Sequence, residues 1–199
     1  MSAPECFYDL LVSRIKDFIE VSDEEIEILR RLFAIEHFKK NAVLLREGEV
    51  CRKLFFVAKG IVRFSKFSEG EDRTYAFRVE GTFCLELESF LQKVPSKSTI
   101  TAIEPTTVLS ITYENLQIFY NELRYGDRFG RKVTEQAFIQ VVNLLTTFNS
   151  GSPEQRYIRF TMNHKPFIQR IPQYYIASHI GVTPQALCRI KKKLLRKIL

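Results

Sequence analysis

The hydrophobic period of this 199-residue chain changes from helical to short β runs and back again, and that alternation restricts what it can fold into. Between residues 43 and 112 the apolar and β-branched residues fall in six brief runs: Val43 to Leu45, Leu54 to Ala58, Ile61 to Phe67, Thr74 to Val79, Ser98 to Ile103 and Val108 to Thr112. Gly48, Gly60, Gly70 and Gly81 punctuate them. Strands with turn signals roughly every ten residues predict an antiparallel barrel or roll, not βαβ units. Ile61 to Phe67 is apolar at odd and even places at first and then alternates, which predicts one buried face.

Helical signals flank this region. Ser22-Asp23-Glu24-Glu25 fits a capping box, and Ile26, Leu29 and Phe33 follow at helical spacing, so a helix ends near residues 32 to 34. The helical period returns at Tyr113 and dominates from Arg128 to Phe148. There Phe129, Val133, Ala137, Val141, Leu144 and Phe148 form one stripe, with Phe138, Val142 and Leu145 beside it. One core requires one stripe. Two stripes predict one side packed on the roll and the other on a second copy of the same helix, the alternative being a helix buried within its own chain. Asn149-Ser150-Gly151-Ser152-Pro153 breaks the pattern, and Ser152, Pro153 and Gln155 supply an N-cap, a first-turn proline and the closing residue of a second capping box. The expected architecture is α+β: residues 1–125 a roll with N-terminal helices, 126–149 a dimerisation helix, and 150–199 a C-terminal helical unit.

Composition narrows the partners. The net charge of +7 suits a polyanion, and the excess is local, since six of the eleven residues from Arg189 to Leu199 are basic. Cys6, Cys51, Cys84 and Cys188 are scattered without a CxxC pair, so neither a zinc site nor a disulfide framework is suggested. Apolar runs such as Leu54 to Ala58 are too short to span a bilayer, and MSAPECFYDLL lacks the order of a signal peptide, so a cytoplasmic protein with no membrane partner is expected.

The window from Gln173 to Lys192, QYYIASHIGVTPQALCRIKK, carries the chemistry. Ile176, Ile180, Val182, Leu187 and Ile190 would pack two short helices together, with the small Ala177 at their crossing and Gly181 in the left-handed turn. Thr183 would cap the second helix, with Pro184 in its first turn. Gln185, Cys188, Arg189 and Lys192 then share the outward face. Gln and Arg can make bidentate contacts with adenine and guanine edges, while Thr183 sits where a phosphate is favoured. Lys191, Lys192, Lys193, Arg196 and Lys197 would add salt-dependent backbone attraction. A solvated basic helix in an ordinary bundle would explain the charge, but not the combination of small residue, turn glycine, cap and apolar positions.

With these residues in view, the chain resembles the cyclic-AMP receptor protein / fumarate-nitrate regulator (Crp/Fnr) superfamily over nearly its full length. The matching stretches are Leu44 to Glu49, Leu54 to Gly60, Gly81-Thr82-Phe83 leading to Glu86, and Ile171 to Leu194. The resemblance implies a double-stranded β-roll, a long dimer helix and a helix-turn-helix that activates or represses promoters. It implies a two-fold dimer on a palindromic double-stranded operator, with half-sites about one helical turn apart. It places Pro184, Gln185, Cys188 and Arg189 at DNA-contacting positions, and RNA polymerase and a small effector join the candidate partners.

The departures are specific. Cyclic-nucleotide binders of this superfamily carry a Gly-Glu pair and then an Arg-Ser or Arg-Thr pair. Here Leu85 precedes Glu86, and the nearest second pair is Lys97-Ser98, whose lysine offers a point charge in place of a fork. The pocket of Glu86, Lys97 and Ser98 is therefore degenerate: cyclic AMP is disfavoured, no cofactor is expected, and the effector is unidentified. The alternative for Glu86 is a turn or rim carboxylate, and for Lys97 a solvated lysine. The cysteine cluster of iron-sulfur sensors is missing, and His37, His164 and His179 are too dispersed to suggest haem. The sequence stops after the recognition helix, so a full wing is not expected and the basic tail takes its place.

An enzyme of the cupin type would need clustered histidines, and none lies between His37 and His164. A non-enzymatic regulator is expected. The competing reading is a cyclic-nucleotide-like module acting on a protein partner instead of DNA.

Overall fold

The computed structural model describes residues 3–68, 70–148 and 151–195. Two helices open the chain, α1 (Ala3–Lys16) and α2 (Asp23–Leu32). Ser22 caps α2: its side chain accepts from the Glu25 N–H while the Glu25 carboxylate accepts from the Ser22 N–H. Eight strands follow as β1 (Ala34–Phe38), β2 (Val43–Leu45), β3 (Lys53–Lys59), β4 (Val62–Ser68), β5 (Glu71–Arg78), β6 (Thr82–Cys84), β7 (Thr99–Ala102) and β8 (Thr106–Thr112). A short helix, α3 (Leu87–Gln92), separates β6 from β7.

All pairings are antiparallel, in two four-stranded sheets of order β1-β8-β3-β6 and β2-β7-β4-β5. Leu45, Phe56, Val57, Val62, Phe64, Ile100 and Leu109 of the two sheets are buried in one core that also takes Leu11, Ile15 and Leu29 from the N-terminal helices. The six runs read from the sequence all become strands or border them, Ser98 and Ile103 lying just outside β7. The strands β1 and β6 were not read, and β1 lacks a flanking glycine.

One expectation changes. The run from Ile61 buries both faces as far as Ser65, not one. Val62 and Phe64 point into the roll, whereas Ile61 belongs to a second core built with the C-terminal helices and the Arg63 guanidinium lies 4.2 Å over the ring of Tyr175. The sheet is covered on its outer face by the rest of the chain, which explains the early doubling of apolar places.

Beyond the roll come α4 (Tyr113–Glu122), α5 (Gly126–Phe148), α6 (Pro153–Asn163), a 3₁₀ turn (Ile168–Arg170), α7 (Gln173–His179) and α8 (Pro184–Leu195). The long helix also departs from expectation. Its apolar surface is divided along its length and not around its circumference. Phe129 is buried against Phe18, Phe83 and Phe119, and Val133 packs on the same core. Further along, Ala137, Phe138, Ile139, Val141 and Val142 are all exposed, because the helix has run past the edge of the roll. The side chains of Leu144, Leu145 and Phe148 lie outside the described residues. No helix among the described residues is long and apolar enough to cross a membrane.

Candidate nucleic-acid interface

The C-terminal unit begins with a second capping box, in which the Ser152 side chain accepts from the Gln155 N–H and Gln155 returns a bond from the Ser152 N–H, with Pro153 in the first turn. Phe160, Ile171, Ile176, Ala177, Ile180 and Leu187 then form its core, and Ala177 and Ile176 are fully buried where α7 meets α8. Gly181 takes φ +70°, a left-handed conformation that costs glycine little. It lets the Val182 N–H reach back to the Ala177 carbonyl at 3.0 Å. Thr183 caps α8 by accepting from the Ala186 N–H at 3.2 Å.

One residue of this turn escaped the sequence reading. Arg156 on α6 donates through Nε to the Ile180 carbonyl at 2.8 Å and through Nη1 to the Gly151 carbonyl at 3.0 Å, stapling the turn to the start of α6. No periodic signal marks it, since its partners are loop carbonyls.

The outward face of α8 is open. Thr183, Pro184, Gln185, Cys188, Arg189, Lys192 and Lys193 are all exposed, on the side opposite the buried Leu187 and Ile190. Gln185, Arg189 and Lys192 stand in line at i, i+4 and i+7. Two neighbours are engaged within the unit: Lys191 donates to Gln173 at 2.9 Å, and Lys193 pairs with Glu154 at 2.5 Å. Arg196 and Lys197 of the expected basic tail lie outside the described residues. A cleft beside the start of α8 separates it from the β4–β5 hairpin and is lined by residues including Lys66, Asp72, Arg73, Arg159 and Thr183.

The opposite side of α7 is buried against the roll. His179, the last residue of α7, sits among Phe77 (5.7 Å between ring centroids), Phe160 (5.1 Å) and His164 (6.3 Å). Its Nδ1 is buried without a hydrogen-bond partner. Burial first, then the like charge of His164, pushes its pKa down to about 4. Burial also lowers the pKa of His164, with the Phe160 carbonyl opposing the shift and Arg78 adding to it. These two histidines are fifteen positions apart in a sequence that made them look unrelated. The structure brings them together.

Inside the roll, the expected effector residues separate. Glu86 caps α3, its carboxylate accepting from the Ser89 N–H at 2.8 Å. Lys97 is exposed and holds Glu88 at 2.7 Å. Ser98 is buried and hydrogen-bonded at 3.0 Å to the hydroxyl of Tyr75, a residue not anticipated. Tyr75 is there because of a bulge: Phe64 pairs with Ala76 and Ser65 with Thr74, leaving Tyr75 without a partner and free to turn. Burial raises its phenol pKa, with the Ser98 bond opposing. Arg78, three residues further along β5, lies 5.7 Å from the Phe64 ring and is the other residue the spacing did not reveal. The Leu85 side chain packs on the core. With Leu85 occupying space, Glu86 committed to a helix cap and Lys97 to Glu88, the phosphate and ribose clamp of a cyclic nucleotide is not assembled from these residues. Among the described residues no group of histidine, cysteine and carboxylate side chains could hold a metal ion.

Residues 35–122 match the family model described as "Cyclic nucleotide-binding domain". A comparison of the sequence with curated proteins gave no match. Among solved structures, FixK2 from Bradyrhizobium japonicum superposes with a TM-score of 0.70 at 15% identity, covering 83% of this chain and 85% of that one. A CooA mutant from Carboxydothermus hydrogenoformans gives 0.69 at 17% identity, covering 85% and 79%. The c-di-GMP responsive global regulator CLP from Xanthomonas campestris gives 0.65 at 16%, covering 89% and 94%. The chain thus carries a cyclic nucleotide-binding domain fold at residues 35–122 and, with its C-terminal helices, shares its overall fold with these solved structures.

Proposed function

We propose that this protein is a homodimeric, sequence-specific DNA-binding transcription regulator and not an enzyme. Residues 1–125 form its sensor, 126–149 its dimer helix and 150–199 its reader of DNA. The observation that carries the reading is the open face of α8: an N-capped helix following a Gly181 turn, with Gln185, Arg189 and Lys192 aligned and exposed. Such a helix can enter a major groove with Gln185 and Arg189 at base edges and Thr183, Pro184, Cys188 and the lysines along the backbone. RNA polymerase is a further proposed partner, and the cytoplasm the proposed compartment. The exposed stretch of α5 supports the dimer: Ala137, Phe138, Ile139, Val141 and Val142 form an apolar surface that a second copy of the helix would cover, together with Leu144 and Phe148.

The sensor responds to an unidentified small effector. Its site is proposed at Glu86 and Ser98 with Tyr75 and Arg78, and Lys97 stands at the rim through its pair with Glu88. CLP, which shares this fold, is described as responsive to c-di-GMP, so the roll is compatible with ligands of more than one type.

The test is fluorescence anisotropy of purified protein on DNA from upstream of its own coding sequence, across a salt series, with Arg189→Glu as the control. A bidentate base contact discriminates by about 1–3 kcal/mol. Reversing the charge of Arg189 is therefore expected to weaken binding at least about tenfold, and wild-type affinity to fall steeply with salt. Salt-insensitive binding unaffected by Arg189→Glu would instead favour a module that acts on a protein partner.

A further inference from the structure

The helix-turn-helix unit shares a core with its own roll. Ile61, Phe77 and Ile103 from the roll are buried in one cluster with Phe160, Ile176 and Leu187. Phe77 meets Phe160 edge to face at 5.9 Å. Polar contacts surround this patch. The Thr74 N–H on β5 donates to the Ser178 hydroxyl of α7 at 2.9 Å. Arg63, buried and held by Asp72 at 2.6 Å and Thr74 at 2.7 Å, lies over the Tyr175 ring.

Arg170, at the end of the 3₁₀ turn that leads into α7, grips two carboxylates of the roll. Its Nη2 and Nη1 reach the two oxygens of Glu80 at 2.5 and 3.2 Å, and its Nε lies 3.3 Å from Glu104 Oε2 while Nη2 also bonds Glu104 Oε1. Both acids are themselves placed by the roll. Glu80 accepts from the Gly60 N–H at 2.8 Å. Gly60 is at φ +100°, where a Cβ would come within 2.8 Å of the Thr106 backbone, so this turn admits no side chain. Glu104 is held in the β7–β8 turn, where the Thr106 hydroxyl donates to its carbonyl at 2.8 Å. Burial raises the Glu80 pKa, but the bonds from Arg170 and Gly60 outweigh it, and the carboxyl stays below its ordinary value.

A planar guanidinium forked across two fixed carboxylates sets orientation as well as distance. A single covalent connection from α5 to α6 would leave the angle of the DNA-binding unit undetermined; a second contact removes that freedom. None of the docking residues belongs to the outward face of α8, which stays exposed in this arrangement. We propose that Arg170 is a positioning residue for DNA recognition: by clasping Glu80 and Glu104 it locks each helix-turn-helix onto its own roll, so that this contact, together with α5, sets the spacing and tilt of the two recognition helices. The proposal rests on the reading of the chain as a dimeric DNA-binding protein.

A loosened unit can still bind one half-site, but it loses part of the advantage of engaging two at once, an advantage that can reach about 10²–10⁴. The experiment uses the full-length dimer and a two-half-site duplex that the wild-type protein selects from random oligonucleotides. Spacer variants are lengthened or shortened in single base pairs up to about half a turn. Arg170→Ala, and separately Glu80→Gln with Glu104→Gln, should remain folded by circular dichroism and dimeric by light scattering. Each should lose about tenfold or more on the selected duplex, tolerate altered spacing better than wild type, and bind a single half-site with unchanged affinity. Arg170→Lys, which keeps charge without the fork, should give an intermediate profile and provides a second variant if the alanine change impairs folding. Folded dimers with the wild-type spacing profile would overturn the proposal alone, as would a parallel loss on half-site and full site. Failure of the wild-type protein to select any duplex would overturn the DNA-binding reading as well.

Discussion

Acidification should weaken the docking of α7 mainly through His179, and His179→Phe should remove that part of the effect. The ordinary histidine pKa of 6.5 is reduced to about 4 at His179. At about 1.4 kcal/mol per pH unit, that gap corresponds to about 3 kcal/mol of preference for the neutral ring in the folded state. A helix C-terminus favours a cation by about 0.3–1 kcal/mol, so the position of His179 at the end of α7 opposes burial but does not balance it. The sign follows from the lowered pKa. Above pH 6.5 the ring is neutral in both states and the fold keeps its full stability. Between pH 6.5 and about 4 only the unfolded chain takes up the proton, and stability falls as pH falls; below about 4 this contribution levels off. His164, also lowered, adds to the loss in the same window. Urea unfolding of wild type and His179→Phe at fixed protein concentration, in steps from pH 7.5 to 4.5, isolates the contribution because other titrating groups cancel in the difference. The variant keeps an aromatic ring among Phe77 and Phe160 and has no orphaned Nδ1. Its advantage over wild type should grow toward about 3 kcal/mol as the pH is lowered. Parallel pH profiles, or an NMR titration of His179 centred near 6.5, would refute the argument.

Other substitutions probe separate parts of the fold. Phe56→Ala removes a fully buried ring at the centre of β3 and should cost about 3–5 kcal/mol in chemical denaturation. Gly60→Ala forces a left-handed conformation and a backbone clash with Thr106, and should lower the melting temperature clearly, whereas Gly48→Ala, at φ +89° with nothing near its Cβ, should cost only about 1–2 kcal/mol. Val141→Glu on the exposed part of α5 should leave the circular dichroism spectrum intact and shift the protein to monomer in analytical ultracentrifugation, with poor operator affinity. A normal dimer would remove that helix from the proposed interface.

What could be read from the sequence was local, and what could not was distant along the chain. The capping boxes at Ser22 and Ser152, the Gly181 turn and the Thr183 cap each involve residues within a few positions of one another, so spacing alone revealed them. Period distinguished strand from helix for the same reason. The bulge at Tyr75 left no such trace, because a bulge depends on which partner residue faces which, and that register is fixed by the opposite strand. The different surroundings of the two expected effector residues were hidden by the same limit: Lys97 and Ser98 are neighbours in sequence, yet one faces solvent to hold Glu88 and the other turns inward to Tyr75. The hydrogen bonds that dock the helix-turn-helix unit join residues 66 to 104 positions apart, from Arg170–Glu104 to Thr74–Ser178. No periodicity reports such pairs. Arg63 nevertheless left a mark that physical reasoning can use. A charged residue in the doubly buried half of a strand requires a partner, since an unpaired buried guanidinium would cost several kcal/mol. Asp72, across the β4–β5 hairpin, is that partner, and the Tyr175 face is the second. An arginine among apolar neighbours in a strand, read this way, predicts that something covers the sheet at that point, and here the cover is the unit proposed to read DNA.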